Sequence, residues 1–173
     1  MLTALFSFLT GCAGIPRGIV PVKGFEVARY TGNWWEIARL DHRFERGLSN
    51  VSATYTLKPD GAGRIVVFNQ GFKDETGEWT DVTGKAYITG EPGEGRLKVS
   101  FFGPFYAAYN VIHLDPEYRH AIVCSSNMSY LWILSRTRTL DETTLASLVD
   151  RAKGLGFKTE DLLYVRHDRA RPE

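Results

Sequence analysis

Cysteine is scarce in this chain: two residues in 173, Cys12 and Cys124. A framework of several disulfides is therefore excluded, and at most one bridge could form, in an exported protein. Neither charge dominates. Lys and Arg number 21, Asp and Glu 20, and the formal net charge is +1. The basic residues are scattered rather than striped, so the electrostatic footprint of a nucleic-acid partner is missing. No phosphate-cradling glycine loop and no metal-ligand spacing occurs in the sequence, and no cofactor is expected. Internal repeats are lacking too, and the length fits one domain. What the chain has in quantity is rings. Aromatic residues make up 13% of it, as expected of a small sheet protein with a large interior to line.

The first residues, MLTALFSFLTGC, form a short apolar run that ends in Leu9-Thr10-Gly11-Cys12. An apolar segment followed by small residues is the pattern of a secretory leader, although no Lys or Arg precedes this one. A true start upstream of Met1 would account for both the missing basic residues and the short run. The quartet resembles the bacterial lipobox, whose cysteine is acylated and becomes the mature N-terminus. That resemblance gives Cys12 a role without a disulfide. Ala13 follows it, with no aspartate to signal inner-membrane retention, so the resemblance implies a lipid anchor in the outer membrane, facing the periplasm. Residues 1–11 then read as the remnant of a signal peptide. Residues 12–24, rich in glycine and proline, read as lipidated N-terminus and tether.

From Trp34 onward the pattern has period two, punctuated by turn residues. WWEIARL, VSATYTLK, RIVVFNQGF, EWTDVTGKAYIT, RLKVSFF, YAAYNVIHL, HAIVCSS and YLWILSRT predict eight strands joined by short links. LDETTLASLVDRAKGLGF breaks the pattern. There Asp141 is a plausible N-cap, Leu145, Leu148, Val149 and Ala152 share one helical face, and Gly154 or Gly156 ends the helix. DLLYVRH predicts a short ninth strand, and residues 169–173 read as a tail. Eight antiparallel strands with hairpin-length links can close into an up-and-down barrel, which removes exposed edges. The fold class expected is all-β: an eight-stranded antiparallel up-and-down barrel over residues 25–168, with the helix packed outside. Trp34 and Trp35 are neighbours, so they must face opposite sides, one inward and the other onto the outer wall.

In such a barrel the start of the first strand, the sixth-to-seventh turn and the end of the eighth strand share one end. They carry Trp34, Asp115 with Tyr118, and Arg136. A guanidinium stacked on an indole would close that floor. Gly32-Asn33-Trp34 resembles the first signature of the lipocalins, LDPEY at 114–118 the second with departures at Leu114 and Pro116, and Arg136 the third. With SFFGPFYAAYNVI, YRHAIVC and YLWILSRT, nearly the whole chain is similar to the bacterial outer-membrane lipocalins, relatives of apolipoprotein D. Gly32, Trp34, Asp115 and Arg136 would then be the structural floor.

The resemblance implies a carrier of a small hydrophobic ligand, a fatty acid or lysophospholipid, held inside the barrel. Counting by two places Glu36 and Ala38 inside on the first strand, and Tyr130, Trp132 and Leu134 on the eighth. Lipocalin register adds Val51, Ala53, Tyr55, Leu57, Ile65, Val67, Asn69, Leu97, Val99, Phe101, Tyr109, Val111 and His113. The expected ligand contacts are Ala38, Ala53, Tyr55, Val67, Asn69, Val99, Phe101, Tyr109, Val111, Tyr130 and Trp132, with Ala38, Ala53 and Gly84 leaving space. Glu36 should be a hydrogen-bonded structural group. His42, Arg43 and Arg46 could meet a ligand head group or belong to a solvated loop. Two other readings stay open. A lipid-modifying enzyme would need Cys124 with His120 or His113 as thiol and base, but Cys124 and His120 are too far apart on one strand to hydrogen-bond. A structural lipoprotein would have a filled barrel, and Phe101–Tyr106 offers rings to a membrane or to a second copy in a homodimer.

Overall fold

The computed structural model describes residues 14–59 and 63–171, so the leader and Cys12 lie outside the described residues. The alternating segments form β1 (Gly32–Leu40), β2 (Leu48–Leu57), β3 (Ile65–Lys73), β4 (Glu78–Ile88), β5 (Arg96–Ser100), β6 (Ala107–Leu114), β7 (His120–Cys124) and β8 (Leu131–Ser135). Each pairs antiparallel with the next. β1 pairs with β2 through Gly32–Trp35 and with β8 through Trp35–Arg39, so the sheet closes on itself. The β1–β2, β3–β4, β5–β6 and β7–β8 connections therefore share one end, the mouth; the other connections lie at the floor. A single helical turn, α1 (Val27–Tyr30), precedes β1; the alternation gave no sign of it.

Of three irregularities in strand pairing, one of them in β2 between Ser49 and Ser52, two reverse inward positions expected from alternation. The pairing of β1 with β8 shifts between Glu36 and Ala38, and that of β6 with β7 shifts between Val111 and His113. An extra residue in one strand reverses the alternation beyond it. Ala38 consequently packs in the outer layer with Ile37, Ile112, Ile122 and Ile133. This corrects the inward position expected of it. His113 is corrected in the same way: it pairs with Ile122 of the outer face, while Leu114 packs inside.

The outer layer is covered by α2 (Glu142–Gly154). Asp141 caps it by accepting a 2.9 Å hydrogen bond from Thr144 N. Leu148 and Ala152 bury against the strands beside Leu131, Ile133 and Cys124. Trp35, on the outer wall as expected, lies under the Arg138 guanidinium at 4.5 Å and the edge of His167 at 5.3 Å.

β9 (Leu162–Tyr164) pairs with β1 at Ala38–Leu40, beyond the point where β2 leaves it. The chain end continues into that gap. Val165 N donates to Ile37 O, His167 Nε2 lies 2.7 Å from Glu36 O, and Asn50 N donates to Arg166 O. Asn50 adopts φ 54° here, a conformation asparagine tolerates better than most residues. Residues 169–171 of the expected tail are also seated, with Arg169 covering the Phe72 ring at 4.5 Å and Arg171 paired with Asp81 at 2.7 Å.

Residues 14–24, expected as a tether, lie against the barrel. Asn110 Nδ2 donates to Gly14 O, Ile15 and Ile19 pack in the outer layer, and Val22 exchanges backbone hydrogen bonds with Val111 and Gly95. Phe25 then enters the interior at the floor.

His113 yields a pH prediction. Burial first, then the charges of Arg151 and His120, push its imidazole down to about 4 from an ordinary 6.5. A histidine with a depressed folded pKa contributes stability above its unfolded pKa, and that contribution is lost as pH falls from 6.5 through 4. His113→Gln should therefore gain on the parent protein as pH is lowered across that window. Urea midpoints at pH 7 and pH 4.5 measure it; a constant difference would contradict it.

Candidate functional site

The interior is built from the inward positions of all eight strands. Trp34, Tyr55, Ile65, Val67, Ala86, Leu97, Val111, Ala121, Val123 and Leu134 form its buried part, with Ala53, Val99, Phe101, Tyr109 and Trp132 packed against them. Ladder register places Trp34, Ala53, Asn69 and Val82 on one level.

At the floor, Arg136 lies 3.9 Å over the Trp34 ring and donates to the carbonyls of Asn33, Arg29 and Tyr118. Three backbone acceptors and one ring face hold the guanidinium, with no carboxylate paired to it among the described residues. Gly32 has φ 92°, and a Cβ there would stand 3.3 Å from Arg136 Nη1, so this position suits glycine twice over. Asp115 organises the β6–β7 turn by accepting from the backbone N–H groups of Glu117 and Arg119 and from the Arg119 side chain. The Arg119 hydrogen bonds hold its carboxyl down at about 2.

Tyr30, delivered by α1, stacks on Trp34 at 4.7 Å, and its carbonyl accepts from Trp34 Nε1. Its hydroxyl lies 2.7 Å from that of Tyr109, which accepts in turn from Tyr55 at 2.9 Å. Burial raises all three phenols, so they stay neutral and serve as a polar knot in an apolar bottom.

Toward the mouth the interior turns polar on one side. The shift in β1 brings Arg39 inward, where Nη1 donates to Glu36 Oε1 at 2.7 Å and Nη2 to Glu45 O at 2.7 Å. Glu45 reaches in from the β1–β2 loop, accepts from Trp132 Nε1 at 3.0 Å and lies 2.9 Å from His42 Nε2. Burial and the neighbouring Glu45 raise Glu36 well above the carboxylate range despite Arg39. Burial also acts to raise Glu45, but His42, Trp132 and Arg39 outweigh it and hold this carboxyl down. Burial thus favours the protonated form of Glu36, while the groups around Glu45 favour its charged form. Tyr130 stands at the rim with its ring against those of His42 and Trp132. Of the cationic loop residues, Arg46 is paired with Asp41 and Arg43 lies over the Phe44 ring.

The structure therefore brings together Ala53, Tyr55, Val67, Val99, Phe101, Tyr109, Val111 and Trp132, with Asn69 beside Ala53 in register and Tyr130 above. Ala38 lies outside. The space expected beside Gly84 is also taken, since a Cβ there would stand 2.6 Å from the Phe101 ring and from Ser100 O. Gly84→Val should cost about 1–3 kcal/mol by overpacking, measurable by urea denaturation; an unchanged midpoint would mean that the ring moves freely.

Ala53, Asn69, Val82, Val99, Phe101, Tyr109 and Trp132 face inward in a closed barrel yet are only half-buried. A side chain pointing into a solid core would have no accessible surface left. Asn69 Oδ1 has no hydrogen-bond partner among the described residues. An open depression of about 250 Å³ lies at the rim between Phe44, Arg46 and Leu48 on one side and Lys73, Glu75 and Thr80 on the other. Of the residues offered for a ligand only Arg46 lines it, and its mixed charge does not suit an apolar seat.

Cys124 lies in the outer layer beneath α2, and burial pushes its thiol up to about 12. That makes it a packing group rather than a nucleophile.

The lipocalin-like domain family matches residues 25–167. The chain belongs to the lipocalins. Outer membrane lipoprotein Blc of Citrobacter freundii is 50% identical over 151 residues, 87% of this chain and 84% of that protein. Its counterpart in Vibrio cholerae is 48% identical over 159 residues, 91% and 92% of the two chains. Among solved structures, insecticyanin from the tobacco hornworm superposes with a TM-score of 0.72 at 20% identity, covering 88% and 86%. That likeness establishes the fold. The general role of lipocalins is to hold small hydrophobic ligands, and the inward side chains of this barrel are largely apolar and aromatic.

Sequence reasoning missed Tyr30, Arg39 and Glu45. Arg39 carried a signal: opposite charges three residues apart in an otherwise apolar strand fall on opposite faces unless the strand is irregular, and neither Glu36 nor Arg39 had a solvated face available.

Proposed function

We propose that this lipocalin carries one acyl chain, as a fatty acid or a lysophospholipid, in the bacterial envelope. In this reading Cys12 is acylated and anchors the protein to the outer membrane, facing the periplasm; the Blc relatives are by name outer membrane lipoproteins. The observation that carries the proposal is the accessible surface kept by inward side chains of a closed barrel, Ala53, Val99 and Tyr109 among them. Burying a chain of roughly sixteen carbons gains about 13 kcal/mol gross at 0.8 kcal/mol per CH₂. Lost freedom of ligand and protein removes several kcal/mol of that, which still leaves micromolar to nanomolar affinity. Asn69 Oδ1, buried and without a partner among the described residues, is a polar group that an ordered water would serve. No turnover is needed, and the buried, unactivated Cys124 thiol supplies none.

Mass spectrometry of lipid extracted from the purified protein tests the class of ligand. A stoichiometric single-chain lipid is expected. Protein that carries no lipid, and whose interior no amphiphile enters in titrations, would end the proposal.

A further inference from the structure

The four mouth connections differ in a way the ligand reading does not explain. The β5–β6 turn contains Phe102 and Phe105, 72% and 79% exposed, and no charged residue between Phe101 and Tyr106. The β1–β2 loop presents Phe44 at 63% exposure under the Arg43 guanidinium, and its carboxylates are paired within the loop, Asp41 with Arg46 and Glu45 with His42. The β7–β8 turn, Ser125–Tyr130, is also uncharged. The remaining connection, between β3 and β4, reads Asp74-Glu75-Thr76-Gly77 before Glu78 and presents no large apolar residue. Strand order around the barrel sets the β7–β8 turn between the two loops that expose rings and puts the β3–β4 turn opposite.

The N-terminal segment ends on that same side. Asn110 Nδ2 donates both to Gly14 O and to Ser125 O, each at 3.2 Å, so Gly14 is held against the start of the β7–β8 turn. Cys12 precedes Gly14 by two residues. Whatever their conformation, two peptide units reach no further than about 7–8 Å. An acyl group on Cys12 is therefore tied to the β7–β8 side of the mouth, not to the floor.

We infer that the anchored protein lies with the β1–β2, β5–β6 and β7–β8 side of its mouth against the bilayer that holds the anchor, the exposed Phe44, Phe102 and Phe105 entering the lipid interface and the acidic β3–β4 turn pointing away. Exposed rings partition into the head-group boundary, and the β5–β6 and β7–β8 turns carry no charge to oppose this, whereas carboxylates on a membrane of anionic lipids are repelled. The inference rests on acylation of Cys12. It places the mouth where an acyl chain can pass between bilayer and barrel with little travel through water.

The test uses the full-length acylated protein in phosphatidylethanolamine–phosphatidylglycerol vesicles, with an environment-sensitive fluorophore attached at Phe105→Cys or, as the control, at Glu75→Cys. Cys124 is fully buried and stays unlabelled. Lipid-borne nitroxide should quench the label at position 105 severalfold more than that at 75. Vesicle flotation with equal quenching at the two positions, or with none at 105, overturns the orientation while leaving anchor and ligand binding intact. Quenching at 105 by spin-labelled protein but not by lipid assigns the rings to a second copy and overturns it as well. Failure of both proteins to float removes the anchor, and this inference with it, without touching the ligand reading.

Discussion

Ala53→Trp should abolish binding of single-chain amphiphiles while leaving the fold in place. Ala53 sits on the level of Trp34, Asn69 and Val82 and is only half-buried, so an indole there projects into free space rather than into packed atoms. Most of the gross gain for a chain of roughly sixteen carbons comes from its methylenes at about 0.8 kcal/mol each. Displacing even five of them removes about 4 kcal/mol, on the order of a thousandfold in affinity. Titration with a fluorescent fatty acid measures the loss, and circular dichroism with a urea midpoint checks the fold. Unaltered affinity would place the ligand elsewhere, with the rim depression beside Phe44 the next site to examine.

Trp34→Ala should be the most destabilising single change at the floor. Trp34 is fully buried, stacks on Tyr30, carries the Arg136 guanidinium on its other face and donates to Tyr30 O. Removing a buried indole costs about 3–5 kcal/mol through lost contacts and the cavity left behind. Here the change also strips a hydrogen bond from a buried carbonyl and the ring face from a cation that has no carboxylate partner among the described residues. Trp34→Phe keeps a ring for Arg136 but not the donor, and should recover much of the loss. Chemical denaturation of the three proteins decides it; equal midpoints for the alanine and phenylalanine variants would show that the stack contributes nothing.

The strands, the closure and the floor were legible because each rests on local chemistry. Period two and turn residues set the strands, and the only sheet that leaves eight such strands without edges is a closed one. Trp34, Asp115 and Arg136 then met at one end by topology alone. Parity past a bulge was not legible. The extra residues near Ile37 and Ile112 answer to the twist of the barrel, not to their own composition, so counting by two placed Ala38 and His113 on the wrong face. Nor did the alternation disclose what arrives from outside the strands. Tyr30 from α1 and Glu45 from the β1–β2 loop fill interior positions that no strand register includes. Gly84 taught a related lesson: a missing side chain opens space only if no neighbouring ring leans into it.

The first strand is held by partners from the far end of the polypeptide. β1 takes one edge from β8 and, where β2 departs, the other from β9 and the residues after it. Until those last segments are available, an emerging chain has hairpins but no cylinder, and contacts this distant in sequence form slowly. A secreted polypeptide has to remain threadable while it crosses a translocation channel. This connectivity favours that delay, because the ring cannot shut before its eighth strand has emerged.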